Sequence, residues 1–125
     1  DKKCNIGGAM TIIDRQQSPP EESFPGIDRW TYVNDPMGAD SLTVMELEMS
    51  DGSVVPTHTH PTEEAMVILE GELEAVLGDE IVTVTAGQTI LAPSGVRHGF
   101  VNRSAGPARL MAIFPTARME RTLVD

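Results

Sequence analysis

The sequence predicts an all-β sandwich or barrel, and three observations carry that prediction. After Ser41 apolar and polar residues alternate with a period of two, the pattern of half-buried strands. Turn signals interrupt the alternation about every ten residues, which leaves strands of roughly four to eight. A helical period occurs only over Thr116 to Val124. Taken in order, Thr43, Met45, Leu47 and Met49 alternate with Val44, Glu46 and Glu48 as a first strand. Met66 to Leu69 is apolar on both faces, and then Leu73, Ala75 and Leu77 alternate with Glu72, Glu74 and Val76. Gly78-Asp79 turns the chain into a strand from Ile81 to Thr85, and Ala86-Gly87 turns it into another from Gln88 to Ala92. His98 to Asn102 and Ala108 to Phe114 complete the series.

Ahead of these strands, Ser18 to Pro25 reads as loop or arm, because its prolines lack a donor and restrict their neighbours. Asn34 to Gly38 reads as a second loop. The chain divides into an arm over residues 1–40, a core over 41–115 and a tail over 116–125. Within the arm, residues 1–9 hold both lysines and the one cysteine, so Met10 is expected to be the native start and 1–9 an appended or upstream piece.

Composition narrows the function. At 125 residues the chain has room for one domain and needs neither disulfide nor metal merely to fold. Nine basic against nineteen acidic residues leave a formal charge of -10. That balance argues against nucleic acid, whose phosphates are met by Lys and Arg, and against an anionic membrane surface. No apolar run is long enough to span a bilayer as a helix, and no secretory pattern opens the chain. Cys4 has no partner for an internal disulfide and no neighbour to activate it, which fits a reducing, cytoplasmic location.

The candidate chemistry centres on histidine. His58 and His60 are separated by one residue, so in an extended strand both rings face the same way. Glu64 follows four residues on, and His98 lies on a later strand. Imidazoles with a carboxylate suit Mn, Fe, Ni, Cu or Zn. Glu63 is read as solvent-facing, with a role as base the alternative. Met45, Met66 and Met111 are candidates to line an apolar pocket. One of Arg29, Arg97, Arg103 and Arg109 is a candidate clamp for a substrate carboxylate, and strand parity does not choose among them. No Ser-His-Asp or Cys-His nucleophile can be assembled without using one of the same histidines.

From Gly52 to Gly71 the sequence reads G-x5-H-x-H-x3-E-x6-G, filled by Gly52, His58, His60, Glu64 and Gly71. From Gly87 to Asn102 it reads G-x5-P-x-G-x2-H-x3-N, filled by Gly87, Pro93, Gly95, His98 and Asn102. These stretches resemble the two motifs of the cupin family at every fixed position. The resemblance implies a double-stranded β-helix, the jelly-roll barrel, with one divalent transition metal (Mn, Fe, Ni, Zn or Cu) near its mouth. It implies that His58, His60, Glu64 and His98 hold the metal, and that Asn102 is structural. It further implies a metalloenzyme acting on a small organic substrate, with dioxygenase-type oxidation favoured. The alternatives are a redox-neutral isomerase, lyase or decarboxylase acting on sugar acids, or a non-catalytic small-ligand module. A homodimer is expected, paired through sheet edges or exchanged N-terminal strands, with the segment holding Trp30 and Tyr32 involved.

Overall fold

Side chains of a strand fall on alternate faces, and the segment Ala108–Phe114 shows the rule at work. Ala108, Leu110, Ala112 and Phe114 are buried, while Arg109, Met111 and Ile113 face outward and are half-covered. The computed structural model describes residues 3–6 and 10–124. In chain order the described strands are β1 (Lys3–Ile6), β2 (Met10–Ile13), β3 (Glu21–Phe24), β4 (Ile27–Val33), β5 (Thr43–Met49), β6 (Val54–Thr59) and β7 (Glu64–Glu70). They continue as β8 (Glu72–Leu77), β9 (Glu80–Thr85), β10 (Thr89–Ala92), β11 (His98–Val101), β12 (Ala108–Phe114) and β13 (Thr122–Leu123). One sheet has the order β10-β7-β12-β5-β4-β3, the other β13-β6-β11-β8-β9, and β1 with β2 forms a separate hairpin.

The pairings nest. β5 lies against β12, β6 against β11, β7 against β10 and β8 against β9, all antiparallel. The chain is thus one long hairpin wound so that successive pairs fall mostly on opposite sheets, which is the double-stranded β-helix. The apolar faces close on a core that includes Ile27, Met49, Ile68, Leu73, Phe100 and Leu110. Two glycines make the winding possible. Gly71, between β7 and β8, has φ +84°, and a Cβ there would stand 2.5 Å from the Pro107 carbonyl oxygen. At Gly99 a Cβ would stand 2.8 Å from the Val55 carbonyl oxygen, so only glycine lets β11 lie this close to β6.

Two expectations about the flanks need correction. The Ser18 to Pro25 segment is not all loop, since Glu21–Phe24 is a strand at the edge of the first sheet. Pro19, Pro20 and Pro25 lie outside that strand, and an edge strand has one side whose N–H groups need no ladder partner. The helical period of Thr116 to Val124 is not realised either. The tail is extended, and Thr122 and Leu123 pair with Thr59 and His58. β6 would otherwise be a bare edge, and its unpaired backbone groups capture the tail. The reading of residues 1–9 as an appended piece, and of Cys4 as inert, lies outside what the described residues can address.

Glu46 breaks the polar-outward rule, for it points away from the core and is still only 3 % exposed. The arm covers it. Its Oε1 accepts from the Tyr32 hydroxyl and from Arg15 Nε at 3.3 Å, and its Oε2 accepts from Arg109 Nη1 at 2.7 Å. Arg15 in turn lies 4.0 Å over the Trp30 ring, and Trp30 is buried within its own chain. Burial pushes the Glu46 carboxyl up, but the hydrogen bonds from Tyr32 and Arg109 and the charge of Arg15 outweigh it and hold the group below the usual value. The cluster therefore stabilises fully above about pH 4.3 and weakens as pH falls through the depressed value. Glu46→Ala is expected to cost about 2 kcal/mol at neutral pH, and less at an acid pH below the depressed value, where the native chain loses the same interaction. Denaturant unfolding of both proteins at the two pH values measures this, and a pH-independent difference would contradict ion pairing.

Candidate metal centre

The winding brings four polar side chains to one place. His58 lies on β6 and His60 just past its end, so both rings point into the barrel. Glu64 begins β7 on the facing sheet, and His98 begins β11 directly opposite His58 in the ladder. All four are buried, and their ligand atoms lie within 4.8 Å of one another. Sequence reasoning had singled out these same four residues, and the structure brings them all together.

The histidines are oriented from behind. His58 donates from Nδ1 to the Pro56 carbonyl at 2.8 Å, His98 to Val96 at 3.1 Å and His60 to Glu120 at 2.6 Å. A carbonyl oxygen only accepts, so in each neutral ring the proton sits on Nδ1 and the Nε2 lone pair faces the centre. The Glu64 Oε1 stands 2.9 Å from His98 Nε2 and 3.3 Å from His60 Nε2. Lone pairs and a carboxylate aimed at one point repel unless a proton or a cation lies among them. Burial, with the charges of His98 and His60, pushes the His58 imidazole down to about 4, and burial lowers His60 too. His98 differs: burial opposes its charge, but the hydrogen bond and charge of Glu64 win, and it is raised. Without an ion the contact of His98 Nε2 with Glu64 Oε1 is where the centre favours a proton. A divalent transition metal would take the place of that proton and satisfy the inward donors, so the residues fit one.

The centre opens into a cavity walled by Met45, Met66, Phe100, Leu110 and Phe114. The space open to the centres of water-sized molecules is about 40 Å³, enough for a few waters or a small ligand. Met45 and Met66 line it as expected. Met111 does not, because its parity on β12 puts it on the outer face. Glu63 is exposed and faces away. Asn102 is fully buried, donates to Met49 and Gly106 carbonyls and accepts from Ser104, a structural role. Of the candidate arginines only Arg29 reaches the cavity. Arg97 pairs with Asp79, Arg103 with Glu74, and Arg109 with Glu46 and Glu70. Sequence reasoning missed Phe24, Met119 and Arg121, which stand at the mouth. No local spacing marks them; their places depend on the β3–β4 hairpin and on the pairing of the tail with β6.

Comparison with known proteins agrees with this geometry. The profile described as Cupin domain matches residues 45–114. Germin-like protein 1-1 of Oryza sativa subsp. japonica is 31 % identical over 99 residues, which cover 74 % of this chain and 41 % of that protein. Polyketide synthase CurC of Streptomyces cyaneus is 29 % identical over 101 residues, 80 % of this chain and 66 % of the relative. Among solved structures, the polyketide cyclase RemF from Streptomyces resistomycificus superposes with a TM-score of 0.80 at 28 % identity, covering 93 % of this chain and 86 % of that one. The chain spans about half the length of the germin-like and auxin-binding relatives it matches. With nested strand pairs, both histidine motifs in place and a profile match over most of the barrel, the chain belongs to the cupin family.

Proposed function

We propose that this protein is a metal-dependent enzyme acting on a small organic substrate. The observation that carries the reading is the convergence of His58, His60, Glu64 and His98 at the base of a small apolar cavity. A bound Mn, Fe, Ni, Zn or Cu ion supplies Lewis acidity toward substrate oxygens and, where the metal is redox-active, a route to dioxygen chemistry. The chain supplies the rest. The backbone carbonyls behind each ring fix which nitrogen faces the substrate, and Glu64 offsets part of the cation's charge. The methionine and phenylalanine walls keep water out and sharpen every electrostatic interaction inside.

Oxidation with dioxygen is the first reading. Among the described residues lining the cavity, the only imidazole and carboxylate side chains are the four of the centre itself. A redox-neutral isomerase or lyase relying on a separate side-chain base finds no further imidazole or carboxylate there. A redox-neutral reaction is the second reading, favoured by the 28 % identity to the polyketide cyclase RemF. Oxygen consumption separates the two: an oxidase or dioxygenase draws down dissolved oxygen with substrate, and a cyclase or isomerase leaves it unchanged. We also propose a homodimer. Trp30 is buried in its own chain, so support comes from Met10 and Ile12, which are exposed on β2. Light scattering at high micromolar concentration is expected to give twice the chain mass, and a monomer mass would refute the pairing.

Metal binding has a proton signature. His98 holds its proton above the usual histidine range, so an ion entering below that pKa must expel it. Affinity is expected to rise about tenfold per pH unit up to the His98 pKa and then level off. Calorimetry in buffers of different ionisation enthalpy reads the proton released. An affinity that does not change between pH 5 and pH 7 would count against His98 as a ligand.

Replacing single donors separates chemistry from mere ion holding. His98→Ala leaves two histidines and a carboxylate, a set that still holds a metal, so partial occupancy is expected with turnover reduced about 100-fold. Glu64→Ala is expected to reduce occupancy further, since it removes the only anionic donor. Elemental analysis, melting temperature and turnover of the two variants provide the comparison, and full turnover by metal-free His98→Ala would end the metalloenzyme reading.

A further inference from the structure

Arginine is scarce in this acidic chain, and nearly every one has a carboxylate. Arg15, Arg97, Arg103, Arg109 and Arg118 each pair with an aspartate or glutamate away from the cavity. Two differ, and both stand at the mouth of the metal cavity. Arg121 makes no ion pair among the described residues, and its guanidinium lies 4.4 Å over the Phe24 ring. Arg29 gives one bond, Nη2 to Glu21 Oε1 at 2.6 Å, while its Nε is buried without a hydrogen-bond partner. A buried guanidinium N–H with nothing to donate to costs free energy until an acceptor arrives.

We propose that Arg121 and Arg29 form an anion-binding mouth over the metal centre, so that the substrate is a small organic acid held by its carboxylate. The proposal rests on the metal-site reading above and adds the substrate's chemical class. Two guanidiniums lining one cavity repel, and a carboxylate placed between them relieves the repulsion. Both side chains line the cavity that holds the metal centre, Arg121 with its guanidinium over the Phe24 ring. Glu64 is the only carboxylate among the described lining residues, so a loaded cavity carries net positive charge inside a protein of formal charge -10. Such a site concentrates small anions and gives neutral molecules no such advantage. The confined cavity suits a small ligand, and Phe24 gives it an apolar flank.

Neither arginine is loosely placed. Arg29 is in the middle of β4, within the first sheet. Arg121 directly precedes β13, which is laddered to β6, and directly follows Glu120, whose carbonyl accepts from His60. The anion mouth and the metal ligands are therefore set by the same backbone.

The test is calorimetric binding of malonate, with uncharged malonamide as control, to metal-loaded and chelator-treated protein. Native protein, Arg121→Gln, Arg121→Lys, the Arg29→Gln/Arg121→Gln double variant and the surface control Arg97→Gln are compared, each checked for metal content and melting temperature. Malonate affinity is expected to fall at least tenfold in Arg121→Gln and about a hundredfold in the double variant. Arg121→Lys should recover part of the loss, Arg97→Gln should match native protein, and malonamide should bind none of them. Equal malonate affinity in native protein and a folded double variant with full metal content would overturn the proposal. Arginine-dependent malonate binding by protein that takes up no metal would instead sustain the anion mouth and defeat the metalloenzyme reading.

Discussion

Three imidazole lone pairs and a carboxylate pointed at one spot repel each other, and the rest of this structure is arranged to hold them there. Each ring is restrained from its far side by a backbone carbonyl. Two of those carbonyls are local, from Pro56 and Val96, two residues before His58 and His98 respectively. The third comes from Glu120, sixty residues from His60. Local bonds need only an extended strand, whereas the distant one needs the whole winding. The ladder that sets His98 opposite His58 depends on Gly99, where any side chain would strike the Val55 carbonyl. The cost of crowding the donors is thus spread over backbone hydrogen bonds that the barrel makes in any case.

Much of this was legible before any coordinates. The limits of β5 and β12 follow from period-two patterning between turn signals, which over seven residues marks one face for the core in β12 and, Glu46 and Leu47 apart, in β5. The centre was legible for a different reason: its four residues fall at the fixed positions of two motifs, and i, i+2 spacing already puts His58 and His60 on one side. What stayed hidden depends on tertiary cover. Glu46 reads as an outward polar residue, and only the arm, with Arg15 and Tyr32, turns it into a buried anion. The prolines around β3 read as loop because the sequence does not say that the strand lies at an edge. Arg121 sits in a stretch with helical period, and edge pairing with β6 overrides that period.

The two halves of the pocket have different origins. Its base and walls come from the nested strands, where parity and packing leave little freedom. Its mouth comes from the β3–β4 hairpin and the tail, the segments that carry Phe24, Arg29, Met119 and Arg121. Function resides in such sites rather than in the barrel as such. A barrel of this type can keep its centre unchanged while the flanking segments decide what reaches it.

The bond between His60 and the Glu120 carbonyl makes the tail and the centre parties to one equilibrium. Whatever free energy the seated tail lends to a correctly turned His60, an ion bound there returns in full to the seating of the tail. A chain whose last strand has only two residues, Thr122 and Leu123, would fray on its own. With an ion in place, peeling that strand away also means giving up part of a coordination bond. Local order at the end of the chain thereby becomes a reporter of an event deep in the barrel, read by hydrogen exchange at a handful of amides.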